Sequence, residues 1–519
     1  MLLFVAVNSR YIHTNIGVRY FYHLCRDIYP CQFLEFNINQ ELNEVAIEIL
    51  RRKPKYIAIS SYIWNSLFVK RLIEVIKKAA DDIRIILGGP EVYLDKIEDW
   101  NYADLIVRGE GEQFFLDFSK SLAQDKEFTL KNYQHFDLGA LPFPYMDEKI
   151  DENKVYYYES SRGCPFSCSY CMSSLDKEVR FSPLEKVFDE IKILFDRNVR
   201  LLKFVDRTFN IDKERAIKII EFCKRYSKNT QVHLEIEPSL LDNDLIEAIN
   251  ASKEGLFRLE IGIQSFKPET LKAIQRSSNV ERIDKNIKKL MEKKKGIVHL
   301  DLIAGLPQES FDEFKRSLDR TILYLADEVQ LGFLKMLKGT KIRDEAKNYN
   351  YKYLSFPPYE VISNSSISYT ELYKLKKIES IIERLYNRRV LSETLRYIFK
   401  RSSPSEFFER LSNEIDLKKD IRGMLSDLYQ YFVRLNLIED PLILKNLFRF
   451  DILKIYPEEY LPPQLKYSQE EREKIKRYRE SNRGKIPRNS RVGLFDFNVE
   501  QFISNDSFKK EDYFHIFYC

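Results

Sequence analysis

Six apolar runs recur between residues 155 and 342, about 30 residues apart, the length of one strand–helix unit. They read VYYYESS, LLKFVD, VHLEIE, FRLEIGI, VHLDLIAG and VQLGFLKM. Helical patterns fall between them, such as Leu184–Asp196 and Asp212–Tyr226. Nothing in the series reverses the chain, so the pattern predicts parallel strands forming a barrel or an open partial barrel. Polar residues gather at the strand ends, where barrel enzymes place their sites.

A second alternating region covers residues 1–125, with the runs LLFVAV, CQFLEFNI, YIAISSYI, IRIILGG and ADLIVRG. A helix over Ser66–Ala80 carries Leu67, Ile73 and Ile76 in its apolar stripe. Runs buried on both faces and separated by helices predict a doubly wound parallel sheet. Gly88, Gly89 and Pro90 end the fourth run, and Gly109 and Gly111 end the fifth. Ligands of such sheets sit at the carboxyl ends of strands, where backbone must come close. The same glycines would also serve tight turns without a ligand.

Residues 126–154 contain ALPFPYMD and little periodicity, which predicts an extended linker. Helical patterns dominate from Tyr369 to about Leu453, and VGLFDFNVEQFI near the end reads as a final strand. The expected fold class is α/β. A Rossmann-like domain spans 1–125, a linker 126–154, a partial (β/α)6 TIM-like barrel 155–342 and a mainly helical region 343–519.

The chain of 519 residues carries a net charge of +5 on 163 charged groups, too small to imply wholesale binding of nucleic acid or membrane. Residues 470–491 hold nine basic and four acidic side chains, an excess equal to that of the whole chain. Such a run is either a solvated face or a patch for an anionic partner. Seven cysteines, an odd number, argue against a secreted disulfide framework. The N-terminus lacks the features of a signal peptide, and no run reaches 18 apolar residues. A cytoplasmic protein without a membrane partner is expected.

SSRGCPFSCSYCMSS places Cys164, Cys168 and Cys171 in a loop just after the first barrel strand. Thiolates are soft ligands that suit zinc or iron–sulfur centres. A structural zinc needs a fourth ligand, and His135 and His233 are distant in sequence. Cys25, Cys31, Cys223 and Cys519 show no paired spacing, and Cys223 reads as a small buried apolar residue. A four-iron cluster on three cysteines would leave one iron open for reaction.

This loop resembles the three-cysteine motif of the radical S-adenosylmethionine (SAM) superfamily. The resemblance implies a 4Fe-4S cluster whose open iron chelates SAM and whose electron cleaves it to a 5′-deoxyadenosyl radical. It places Tyr170 against the adenine, matches Glu235 to a SAM-contacting acid and Asp301 to a ribose-contacting acid, and adds Gln264 and, twelve residues on, Arg276. Carboxylates suit ribose hydroxyls and an ammonium, and arginine suits a carboxylate. A Gly-Gly-Glu-like motif after the second strand is missing. KFVDRTFN stands there, with Asp206 as a candidate for the SAM amine or, equally, a strand-end cap.

A doubly wound domain ahead of such a barrel resembles the cobalamin-binding class of this superfamily. The resemblance implies cobalamin contacts from Ser60 and Ser61, from Gly88 and Gly89, and from Gly109 and Gly111. NSRYIHTNIG departs from the pattern that supplies a lower cobalt ligand, so His13 is either a cavity residue or a plain hydrogen-bonding group. The class implies methylation of an unactivated carbon, with cyclisation, ring contraction or rearrangement as the alternative. The implied electron donor is flavodoxin or ferredoxin, and the substrate is an unidentified small molecule or peptide. An RNA-modifying enzyme and a non-catalytic cobalamin sensor are the rival readings.

Overall fold

The computed structural model describes every residue except 132, 134, 417, 418, 488 and 519, so Cys519 lies outside the described residues. The chain forms two compact units, one of residues 1–309 with 332–368 and the other of residues 310–331 with 369–519.

The first unit begins with strands β1 (Leu2–Asn8), β2 (Cys31–Asn37), β3 (Tyr56–Ser60), β4 (Arg84–Gly88) and β5 (Leu105–Ile106). They form one parallel sheet in the order β2-β1-β3-β4-β5. All seven residues of β1 are buried, because helices cover both faces. Leu3, Val5 and Val7 pack with the helices Leu42–Arg51 and Ser66–Ala79. Leu2, Phe4 and Ala6 pack with Ile16–Cys25 and Glu112–Ala123. Each buried Leu, Val or Phe among these contributes about 1.5–3 kcal/mol. The helix Ser66–Ala79 forms where Val69, Leu72, Ile73 and Ile76 repeat at helical spacing.

Segment 126–154 holds one short turn, Leu138–Ala140, but it is not a loose tether. Phe136, Leu138 and Leu141 pack with Tyr20, and buried Arg19 pairs with Glu148 at 2.6 Å and Glu35 at 2.7 Å.

The next strands are β6 (Val155–Tyr158), the two-residue strands β7 (Ser161–Arg162) and β8 (Arg180–Phe181), then β9 (Leu201–Phe204), β10 (Gln231–Ile236), β11 (Phe257–Gln264), β12 (Ile297–Ala304) and β13 (Glu328–Phe333). The larger sheet runs β6-β9-β10-β11-β12-β13 and is parallel from β6 to β12. Consecutive order with β6 and β13 at the two edges is the topology of an open barrel. Alternate side chains divide the strands by chemistry. Leu202, Phe204, Leu234, Leu259, Ile261, Leu300 and Leu302 are fully buried on one face. Tyr157, Lys203, His233, Glu235, Glu260, His299 and Asp301 share the other, in register across neighbouring strands. The period of two gives this sheet an apolar face and a polar face.

The second unit is mainly helical, with helices such as Tyr369–Ile381, Ile421–Arg434 and Pro441–Ile455. VGLFDFNVEQFI divides between two elements. Arg491–Phe495 is a strand paired antiparallel with Tyr513–Phe517, but Val499–Asn505 is a helix. The Asn498 side chain accepts from the Gln501 amide and starts that helix, which the apolar pattern alone did not reveal. The basic stretch forms the helix Gln469–Ser481, which buries no residue. Arg449, almost fully buried, pairs with its Glu471 at 2.8 Å. Burial raises the Glu471 pKa, but the guanidinium outweighs it and lowers the carboxyl to about 2. Among the described residues no helix is long and apolar enough to cross a membrane.

Candidate functional site

The cysteine loop is an excursion closed by the antiparallel pair β7–β8, where Ser161 faces Phe181 and Arg162 faces Arg180. Gly163 enters it at φ +93°, and a Cβ there would stand 2.1 Å from the Glu178 carbonyl oxygen. Only glycine fits so close an approach of two backbones. The Cys164 amide donates to the Asp176 carbonyl, the Ser169 amide to Ile274 and the Cys171 amide to Cys168. Backbone bonds within the loop and to Ile274 therefore hold its shape.

Cys164, Cys168 and Cys171 line one cavity of about 190 Å³ with Tyr170, Glu235, Gln264, Arg276 and Asp301. The structure thus brings eight of the nine residues expected around cluster and SAM to one place. Asp206 is the ninth, and it lies elsewhere. Its carboxylate is buried and accepts from the Ser160 amide at 2.8 Å, the Ser160 hydroxyl at 2.6 Å and the Ser161 hydroxyl at 2.7 Å. Burial raises its pKa against the pull of those bonds. Through these three bonds Asp206 anchors the approach to the cysteine loop, and it is not among the residues lining the cavity.

Charge in the cavity is closely arranged. Lys203 lies 3.6 Å from Glu235 and 3.0 Å from Glu260, and His233 Nε2 lies 2.9 Å from Glu260. Burial raises the Glu260 pKa, but His233 and Lys203 outweigh it and hold the group well below the carboxylate range. Burial pushes Glu235 up, opposed by Lys203 and Arg207. Asp301 is pushed well up by burial and by the nearby Glu260 and Glu235 charges. Its Oδ1 lies 3.2 Å from His299 Nε2 but makes no aligned hydrogen bond among the described residues. A buried carboxyl oxygen in that state suits a hydroxyl donor from a ligand.

Arg276 is already engaged. Its Nη2 donates to Glu237 at 2.6 Å and to the Gly262 carbonyl, and Nη1 lies 3.8 Å from Cys168 Sγ. Burial raises the Cys168 pKa, with Arg276 opposing it. The sequence did not reveal Glu237, which also caps the turn Pro238–Leu240. It lies two residues past Glu235, where one acid was expected.

A second cavity, of about 280 Å³, opens at the carboxyl ends of the first sheet. Ser60, Gly88, Gly89, Gly109 and Gly111 line it, above an apolar floor that includes Phe4, Val18 and Ile86. Gly89 adopts φ +95°, and a Cβ there would lie 2.5 Å from the Ser61 carbonyl oxygen. The Ser60 and Ser61 hydroxyls are buried and lack a hydrogen-bond partner among the described residues. The orphaned Ser60 hydroxyl over an apolar slot, framed by glycine, fits the nucleotide tail of a corrinoid. Ser61 itself lies behind Gly89 and outside the lining. His13 is also absent from it. Its Nδ1 lies 2.6 Å from the Tyr157 hydroxyl, and a bridge between His13 and Val155 draws the loop to the barrel sheet. Burial, then Arg10 and Lys203, lower its pKa.

Arg162 on β7 lines this second cavity, two residues before Cys164. It pairs with Glu110 of the loop after β5 at 3.0 Å, with Glu112 at the start of the next helix at 2.8 Å, and with Glu159 at 2.7 Å. Arg180 on β8 also pairs with Glu110. The acids of VRGEGE therefore bind the first domain to the strands that bracket the cysteine loop. The glycines of that motif had hidden this role.

Residues 2–119 match the family described as the B12 binding domain, 158–321 the radical SAM superfamily, and 347–517 a protein of unknown function, DUF4080. The uncharacterized methyltransferase PH0819 of Pyrococcus horikoshii is 22% identical over 451 residues, which cover 80% of this chain and 94% of that protein. The cobalamin-dependent radical SAM methyltransferase TokK of Streptomyces tokunonensis is 25% identical over 51% of this chain, which spans only 44% of TokK. The solved structure of OxsB, a cobalamin-dependent SAM radical enzyme with aqua-cobalamin and SAM bound, superposes with a TM-score of 0.60 at 15% identity, covering 93% of this chain and 81% of that one. That likeness speaks for the fold alone. Two domain families found side by side in one sequence, each matching the sheet that carries its cavity, decide the assignment: the chain belongs to the cobalamin-binding radical SAM superfamily.

Proposed function

We propose that this chain cleaves SAM reductively at a four-iron cluster on Cys164, Cys168 and Cys171 and delivers a methyl group, by way of cobalamin, to an unactivated carbon. The supporting observation is the convergence of three loop thiols with Tyr170, Glu235, Gln264 and Asp301 on one cavity. When bound, the cluster supplies the electron and the cobalamin the methyl carrier.

The protein's own groups do the placing. Glycine at 163 and the β7–β8 pair fix the loop, so the thiols need not reorganise on binding metal. Tyr170 offers its ring to the adenine. Asp301, whose pKa burial raises, offers its unaligned oxygen to the ribose. Glu235 is the candidate for the SAM ammonium. Arg162 and Arg180 hold the cobalamin domain to the cysteine loop through Glu110. Flavodoxin or ferredoxin is the proposed donor of the electron, and a small molecule or peptide the proposed substrate. The methyltransferase relatives favour methyl transfer over another radical conversion.

The test uses the full chain, reconstituted anaerobically with iron, sulfide and cobalamin. With reductant and SAM carrying a deuterated methyl group, 5′-deoxyadenosine is expected to form and the deuterium to appear on the corrinoid. Formation of 5′-deoxyadenosine with no label on the corrinoid would instead support a radical conversion without methyl transfer.

A further inference from the structure

After β13 the chain runs through residues 337–343, LKGTKIR. The segment is braced by side-chain bonds, from Thr340 Oγ1 to the Leu337 carbonyl at 2.7 Å and from Arg343 Nη1 to the Met336 carbonyl at 2.9 Å. It touches the loops that shape both cavities.

On one side it meets the loop after β4. Lys338 Nζ lies 3.1 Å from Glu91 Oε1 and donates to the two Asp95 oxygens at 2.8 and 2.7 Å. Both acids are buried. The Tyr359 hydroxyl also donates to Glu91, and the Trp100 ring nitrogen to Asp95 at 2.7 Å. Glu91 sits in the turn Pro90–Val92 that begins at Gly89, and its amide donates to the Ser61 carbonyl at 3.2 Å. Lys338 thus supplies the positive charge that two buried carboxylates need, on the loop that frames the corrinoid slot.

On the other side the segment meets the cysteine loop. The Ile342 amide donates to the carbonyl of Ser169, which lies between Cys168 and Cys171. Gly339 adopts φ +78°, and a Cβ there would stand 2.9 Å from Leu94 Cδ1 and 3.5 Å from Leu175 Cδ1. Leu94 follows the Glu91 turn, and Leu175 ends the short turn after Cys171. Both loops therefore close on the same glycine.

We propose that residues 337–343 are a strap that sets the spacing of the corrinoid slot and the cysteine loop, with Lys338 as its positioning residue. The inference rests on a corrinoid in the slot and a cluster on the loop. Such spacing matters because a misplacement of about 1 Å can cost about a hundredfold in rate.

The test uses the full chain, reconstituted anaerobically with iron and sulfide, and hydroxocobalamin as the probe. K338M is expected to weaken hydroxocobalamin about 10- to 100-fold, because the carboxylates it strands draw the Gly89 turn toward water. Its iron content should match the wild type, since the bond from Cys164 to Asp176 and the β7–β8 pair do not use Lys338. K338R should recover part of the loss, because the charge is kept. Should K338M fold poorly, K338M/D95N removes one stranded charge and is expected to show the same selective loss. At saturating cobalamin, electron paramagnetic resonance of the cob(II)alamin form reads the spacing. The reduced cluster should speed relaxation of the cobalt signal in the wild type, and the size of that effect should change in K338M. Unchanged cobalamin affinity in K338M, an equal loss of iron and cobalamin, or unchanged cobalt relaxation would overturn the proposal. A wild-type chain that fails to take up either iron or cobalamin would overturn the underlying reading, and the inference with it.

Discussion

Cys168→Ala is expected to abolish formation of 5′-deoxyadenosine, by roughly a thousandfold or more, because two remaining thiolates do not retain a cluster. The Cys168 thiol is buried, which raises its pKa, and a thiol must give up its proton to bind metal. The fold should survive. The loop is held by the bonds from Cys164 to Asp176 and from Ser169 to Ile274, and none uses the Cys168 side chain. Circular dichroism should match the wild type, while iron content and product both collapse. Cys223→Ala is the control. That residue is fully buried on the helix Lys213–Tyr226, and its loss should cost some stability but no iron. Normal iron and product in Cys168→Ala would show that the cluster is held elsewhere.

The second large effect is expected from Gly89→Val, which should remove cobalamin and leave the cluster. The native φ of +95° is costly for a β-branched residue, by about 1–3 kcal/mol. A Cβ would also lie 2.5 Å from the Ser61 carbonyl oxygen, which is backbone and cannot rotate away. The loop must therefore move into the slot it frames. Retention of cobalamin is expected to fall more than tenfold, read from the visible spectrum of the reconstituted protein. Iron content should hold, since the cysteine loop is fixed by other contacts. Undiminished cobalamin in a folded Gly89→Val chain would place the corrinoid outside this slot.

The two sheets were legible because parallel strands need long, apolar, evenly spaced runs, and runs such as LLFVAV and FRLEIGI can hardly fold otherwise. The cysteines were legible because one loop contributes all three. Less local facts were not. Asp206 reads as a free acid at a strand end until Ser160 and Ser161, 46 and 45 residues earlier, fold over it. His13 belongs by sequence to the first domain, yet its partner is Tyr157, 144 residues away. Arg276 suggested a ligand for a carboxylate, and no spacing rule shows that it also pairs with Glu237. Polar side chains take their roles from long-range partners, whereas hydrophobic periodicity is local.

The central claim is that three thiols hold an iron cluster with a vacant corner that SAM occupies. The most direct measurement is the metal content and electron paramagnetic resonance of the anaerobically reconstituted chain, reduced, with and without SAM. The account predicts about four irons and four sulfides per chain and a spectrum that shifts when SAM is added. Zinc in place of iron, or a cluster signal indifferent to SAM, would contradict it.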